Sequence, residues 1–173
     1  MQSRGGEVEI KDMLPVKIRK KHITQEISTL LEDINHPPIP VLEIAEQNGV
    51  DVVFADFGKH ADNVSGLCDF ESAKIYVNKD DTTVRQSFTI AHELGHWIMH
   101  REAFEHDPEA YGVLPRFSSP DRSNVLEQEA NYFAAEFLVP KKLLNPVRDF
   151  PVAKLADIFD VSRTMMEFRL KNV

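Results

Sequence analysis

The chain is expected to fold as an α+β protein in which a small, mostly antiparallel sheet packs on one central helix and a helix pair closes the C-terminal end. Three observations predict this. Between residues 50 and 78, three short runs are rich in β-branched and aromatic residues and are separated by turn-forming residues. Residues 85–100, RQSFTIAHELGHWIMH, then carry apolar residues at helical spacing on most sides. Residues 152–171 read as helix, tight turn, helix.

Bulk properties agree with a single domain. The chain has 173 residues, 42% hydrophobic and 28% charged, enough for a core without disulfides. Cys68 is the only cysteine, so no internal disulfide can form and a small buried hydrophobe is expected there. No apolar run approaches the roughly 18 residues of a membrane span, and the opening MQSRGGEVEIKDM lacks the apolar core of a signal peptide. A cytoplasmic location and no membrane partner are therefore expected. The net charge of −8 is uneven: residues 31–140 carry 7 basic against 20 acidic side chains, while both ends are mildly positive. An acidic middle repels nucleic acid and suits a cation or a basic partner.

Residues 1–20 are expected to form a flexible arm, with Gly5-Gly6 and little to pack, and residues 21–173 one domain. Ile23, Ile27, Leu30, Leu31 and Ile34 recur at helical spacing behind the basic lead-in Lys17 to Lys21. His36-Pro37-Pro38-Ile39-Pro40 breaks that helix, and a short one follows from Val41 to Gln47 and stops at Gly49. Val50 to Phe57 reads as a strand, and Ser65–Phe70 and Lys74–Asn78 as a hairpin turning at Glu71-Ser72-Ala73. An exposed edge of this sheet can take an extended peptide by strand addition. His22 and His36 are expected at the surface.

The central helix carries the chemistry. His92 and His96 are four residues apart, which puts both imidazoles on one helical face a turn apart, and Glu93 lies beside them. In this HExxH arrangement two neutral imidazoles hold a zinc ion and the carboxylate takes a proton from its water. Asp80, Asp81, Thr82 and Thr83 offer acceptors for the free N–H groups of the helix start. Phe88, Ala91, Gly95, Ile98 and Met99 make one apolar stripe, and Ile90, Leu94 and Trp97 another. Gly95 is costly in a helix, about 1 kcal/mol against Ala, so another backbone or a substrate is expected to pass close to it. The following REAFEHDPEAYGVLPRFSSPDRSN has no clear period and is read as a lid or substrate-binding loop. Within it His106, Tyr111 and Arg116 are candidates for stabilising an oxyanion or holding substrate.

A catalytic zinc wants three protein ligands and one open position. His100 fails on reach, because eight residues of helix separate it from His92, about 12 Å. The best source is Val125 to Pro140, VLEQEANYFAAEFLVP, a second buried helix through Ala130, Phe133, Ala134, Phe137 and Leu138. Glu127 sits one turn before Ala130 and Asn131 on the inward side, whereas Glu129 is in phase with Tyr132 and Glu136, nearer the solvent edge. Glu127 is therefore chosen as third ligand, with Asn131 as the partner that orients a ligand imidazole. One Zn²⁺ per chain is expected, with Mn²⁺ and Fe²⁺ as alternatives for a His₂Glu set.

FTIAHELGHWIMH followed by EQEANYFAAEFLVP resembles the ImmA/IrrE family of bacterial and phage-associated zinc metallopeptidases, over roughly residues 40–171. The resemblance implies a compact gluzincin-like peptidase fold with metal ligands His92, His96 and Glu127 and general base Glu93. It also implies a partner, since such proteins are similar to proteases that cut a helix-turn-helix repressor or an antitoxin-like protein and so regulate phage, mobile-element or stress genes.

At the C-terminus Ala156 is small at the inner face, Ser162 can cap the second helix, and Met165, Met166, Phe168 and Leu170 supply apolar surface. Asp157, Asp160 and Glu167 oppose phosphate contact, so packing or partner binding is expected of this pair and direct nucleic-acid binding is not. The competing functional class is a catalytically latent regulatory protein of a phage or toxin–antitoxin module, acting by protein–protein contact. Intact ligands and base favour the peptidase.

Overall fold

A computed structural model describes residues 15–106, 108, 113–117 and 125–173. Most of the expected arm therefore lies outside the described residues, as does Tyr111. The elements run α1 (Lys20–Leu30), α2 (Val41–Gln47), β1 (Asp51–Ala55), β2 (Val64–Asp69), β3 (Lys74–Asn78), α3 (Thr83–His106), β4 (Val113–Phe117), α4 (Val125–Leu138), α5 (Lys141–Leu144), α6 (Val152–Phe159) and α7 (Arg163–Lys171). Short 3₁₀ turns at Gly58–His60 and Asn145–Val147 complete the path.

The four strands form one mixed sheet in the order β1-β3-β2-β4. β2 pairs antiparallel with β3 as the expected hairpin, with Cys68 opposite Ile75, and β1 runs parallel to β3, with Val53 opposite Tyr76. β4 pairs antiparallel with β2 and makes the second edge, with an irregularity between Val64 and Gly66. This strand corrects the reading of residues 101–124 as loop throughout. Pro115 interrupts its pattern, and proline is tolerated in a sheet chiefly on such an edge strand. The central helix also runs one and a half turns further than expected, to His106, because Ala103 and Phe104 are still buried and Phe104 stacks on Phe70 with centroids 4.8 Å apart.

α3 lies between the sheet and the other helices. β2 and β3 cover one side, α4 packs along another, and α2 touches a third. Ile90, Ala91, Leu94, Gly95, Trp97 and Met99 are all buried, so both apolar stripes find partners. The Trp97 indole N–H donates to the carbonyl of Asn48 at the end of α2, at 3.0 Å. The helix pair follows the sequence: Asp160 adopts the left-handed conformation, φ 51°, that ends α6, and the Ser162 hydroxyl accepts the N–H of Met165 at 3.1 Å to start α7. No helix among the described residues is long and apolar enough to cross a membrane.

Two glycines set the approach of α3 to its neighbours. A Cβ at Gly95 would stand 3.1 Å from Cβ, Cγ and Cδ1 of Phe133. The close neighbour is thus the side chain of α4, not the backbone or substrate expected. A Cβ at Gly66 would stand 2.4 Å from Thr89 Cγ2 and 2.7 Å from the carbonyl oxygen of Tyr76. The first clash is with a buried side chain of α3 and the second with backbone that the sheet holds in place. Gly66→Ala is expected to cost about 1–3 kcal/mol by overpacking. Gly95→Ala is expected to cost less, because about 1 kcal/mol of helix propensity offsets its clash. Urea unfolding midpoints of the two variants test that order.

Candidate metal centre

His92 and His96 face α4 from successive turns of α3 and are 0% and 1% exposed. Opposite them Glu127 sits in the first turn of α4. Its Oε2 lies 3.2 Å from His92 Nε2 and its Oε1 3.1 Å from His96 Nε2, and the two Nε2 atoms are 3.2 Å apart. This is the group of three His, Cys, Asp or Glu side chains found among the described residues whose ligand atoms all lie within 4.8 Å of one another. The two imidazoles meet different oxygens of the carboxylate, and the N, N, O donor set they make with it is one that zinc takes at about 2.0–2.1 Å.

The remaining ring nitrogens are engaged in a way that leaves Nε2 for a metal. His92 Nδ1 lies 3.0 Å from Asn131 Oδ1, one helical turn beyond Glu127, where the spacing of α4 placed it. His96 Nδ1 lies 2.9 Å from His100 Nδ1. Glu93, the residue after His92, is fully buried. Burial raises the Cys68 thiol well above its ordinary value, with the charges of Glu93 and Asp69 adding to the effect. Cys68 is therefore a protonated, inert side chain and no ligand, in line with its place in the core.

His106 ends α3 at an exposed position ten residues beyond His96, about 15 Å along the helix. Arg116 lies in β4, opposite Gly66 of β2. His22 and His36 are exposed, as expected.

Glu129 requires a correction. Its phase with Tyr132 and Glu136 placed it nearer the solvent edge, yet it is 0% exposed and Glu136 only 8%. The reason is that α4 is covered on more than one side, by α3, by α1 and by α7. Glu129 accepts the backbone N–H and the Nε–H of Arg19 at 2.7 and 2.9 Å and a terminal guanidinium N–H at 2.7 Å. His100 Nε2 lies 3.0 Å from its Oε2. Burial raises the Glu129 carboxyl, but the hydrogen bonds from His100 and Arg19 prevail and bring it to about 2. Burial drives His100 the other way, to about 4, against the pull of Glu129. The i, i+4 spacing of His96 and His100 was a legible signal for this cluster. Arg19, 110 residues from Glu129 in sequence, gave none.

The family model described as IrrE N-terminal-like domain, Peptidase_M78, matches residues 45–171. The chain is 24% identical over 163 residues to metallopeptidase ImmA of Bacillus subtilis (strain 168), an alignment covering 88% of this chain and 86% of that protein. In three dimensions it resembles a Mycobacterium tuberculosis transcriptional regulator, with a TM-score of 0.61 and 17% identity over 88% of this chain. The chain spans 56% of that structure's length, and at this identity the likeness concerns the fold.

The triangle of ligand atoms generates a direct expectation. Zinc at a hundredfold excess over its Kd should raise the unfolding free energy by about 2.7 kcal/mol. EDTA should reverse the gain, and Glu127→Ala should abolish it. A melting temperature indifferent to zinc in the unsubstituted protein would count against the centre.

Proposed function

Because the chain belongs to the IrrE N-terminal-like (Peptidase_M78) family of metallopeptidases, we propose that it is a zinc-dependent endopeptidase cutting a helix-turn-helix repressor or antitoxin-like protein. The activity resides in one gluzincin-like domain, residues 21–173, to which Arg19 just before it is hydrogen-bonded through Glu129, and acts in the cytoplasm to regulate phage, mobile-element or stress genes. The observation that supports the chemistry best is the convergence of His92, His96 and Glu127 within 3.1–3.2 Å, beside the buried Glu93. The repressor-like substrate rests on the resemblance of FTIAHELGH and EQEANYFAAEFLVP to the ImmA/IrrE motifs.

Each residue has a separable task. When bound, the ion would lower the pKa of a water towards about 7 and would polarise the scissile carbonyl. His92 and His96 offer Nε2 lone pairs, and Asn131 Oδ1 accepts the Nδ1 proton of His92, which fixes that ring's tautomer. Glu127 supplies the third ligand oxygen. Glu93 accepts a proton from the attacking water at its carboxylate and passes it to the leaving amine.

Glu93→Gln is expected to retain zinc, measured by metal analysis, and to lose cleavage by at least about 100-fold. His92→Ala, His96→Ala and Glu127→Ala are expected to lose both. The assay incubates zinc-loaded protein with a repressor-like protein encoded beside it and looks for a single new cut by mass spectrometry. Wild-type cleavage by the Gln variant would refute the role of Glu93. A stable uncut complex with the unsubstituted protein would favour the latent binding role instead.

A further inference from the structure

The two imidazoles of the centre are held by different chemistry. His92 meets a neutral amide, Asn131, at 3.0 Å. His96 instead opens a buried chain: its Nδ1 is 2.9 Å from His100 Nδ1, His100 Nε2 is 3.0 Å from Glu129 Oε2, and Arg19 reaches both carboxylate oxygens of Glu129. His96, His100 and Glu129 are all at least 95% buried.

We infer that His100, Glu129 and Arg19 form a positioning chain that fixes the proton of His96 on Nδ1 and so presents its Nε2 lone pair to the metal. This rests on the metal centre proposed above and adds the residues that orient it. The direction of donation is determined by its two ends. Arg19 has only N–H donors, and it directs its backbone N–H and Nε–H to Glu129 Oε1 and a terminal N–H to Oε2, which leaves the carboxylate as acceptor. Facing that acceptor, His100 Nε2 must carry its proton and donate. His100 Nδ1 is then a lone pair, and the 2.9 Å contact requires His96 Nδ1 to donate to it. Reversing the chain would set two lone pairs against each other between His100 and Glu129. It would also put a proton on His96 Nε2, pointing at Glu127 where the metal belongs. A second nitrogen hydrogen-bonded in this sense fixes a ligand histidine's tautomer and raises its basicity.

Arg19 precedes α1 and lies outside residues 45–171, the part matched by the family model. Its guanidinium is anchored further by a 3.4 Å contact to the carbonyl of Met99, on the same helix as both ligand histidines. The chain thus ties a segment before the matched domain to the ligand on the second turn of the motif. A side-chain role of this kind is distinct from packing, because it acts on where one proton sits.

The test uses the full chain and reads two quantities besides activity. ¹⁵N NMR of the metal-free protein reports the tautomer of His96, and competition with a chelating dye reports the zinc Kd. The unsubstituted protein should show His96 with its proton on Nδ1. His100→Phe should shift that ring towards the Nε2–H form and weaken zinc binding by about 10–100-fold. Glu129→Gln and Arg19→Ala, which leave both histidines in place, should move both readouts in the same direction by less. If His100→Phe fails to fold by circular dichroism, these two variants decide the matter. Zinc affinities within about threefold of the unsubstituted protein, together with an unchanged His96 tautomer, would overturn the chain while leaving the metal centre intact. Failure of the unsubstituted protein to bind zinc would instead overturn the function proposed above.

Discussion

Two imidazoles and a carboxylate can converge out of water only where two helices come close enough, and here the crossing of α3 and α4 supplies that approach. Its limit is set by Gly95, which offers no side chain where Phe133 of α4 presents its Cβ and ring. Phe133 is fully buried and stacks on Phe137 with centroids 5.5 Å apart. With that contact fixed, His92 and His96 fall one turn apart on α3 and Glu127 falls opposite them. Charge then selects the occupant. When ionised, Glu93 and Glu127 bring two negative charges into a site whose two imidazoles must be neutral to act as ligands, and a divalent cation offsets both.

The sheet serves the site from the other side of α3. β2 and β3 pack on that helix, and at Gly66 the backbone of β2 lies close over the buried Thr89. The parallel pairing of β1 with β3 places α2, which precedes β1, against the same helix, where the Asn48 carbonyl takes the Trp97 proton. Trp97 in turn stacks on Phe70 at the end of the hairpin. α3 is therefore buttressed along its length by elements that come before it in sequence, and α4 closes the remaining face.

The sequence made the regular elements and the clustering of His92, His96 and Glu127 readable because each leaves a local periodic trace. Ile23, Ile27 and Leu31 mark one face of α1, Val152 to Phe159 and Arg163 to Lys171 match the two final helices, and His92, Glu93 and His96 share a five-residue motif. The failures have physical causes. β4 lacks a strand signal because Pro115 sits in it, and its pairing with β2 joins residues far apart in the chain. Glu129 was placed towards solvent because a helical wheel assumes one wet side, and α4 has partners on several. The parallel register of β1 is a tertiary choice that alternation alone does not encode. Arg19 is invisible for the same reason: nothing near it in sequence shows that a carboxylate awaits it.

The three carboxylates of α4 show how partners, more than position, divide roles among chemically identical side chains. Glu129 is met by Arg19 from before α1, and Glu136, two turns on, is met by Arg169 of α7 at 2.6 Å. Arg169 is 3% exposed and also donates its Nε–H to the carbonyl of Val139, so the segment before α1 and the helix α7 both close on α4 through guanidinium groups, the first partly buried and the second buried. A buried ion pair of this kind adds little net stability, since desolvation absorbs most of its Coulombic gain, but an unmatched charge at either place is strongly penalised. The penalty acts against any packing in which α4 rotates or slides, because each such movement strands two guanidinium groups and two carboxylates at once. With Glu129 and Glu136 matched by guanidinium groups, Glu127 is the member of the three whose ion-pair partners among the described residues are imidazoles. Among the described residues no guanidinium meets it, and with His92 and His96 it makes a group that could hold a metal ion.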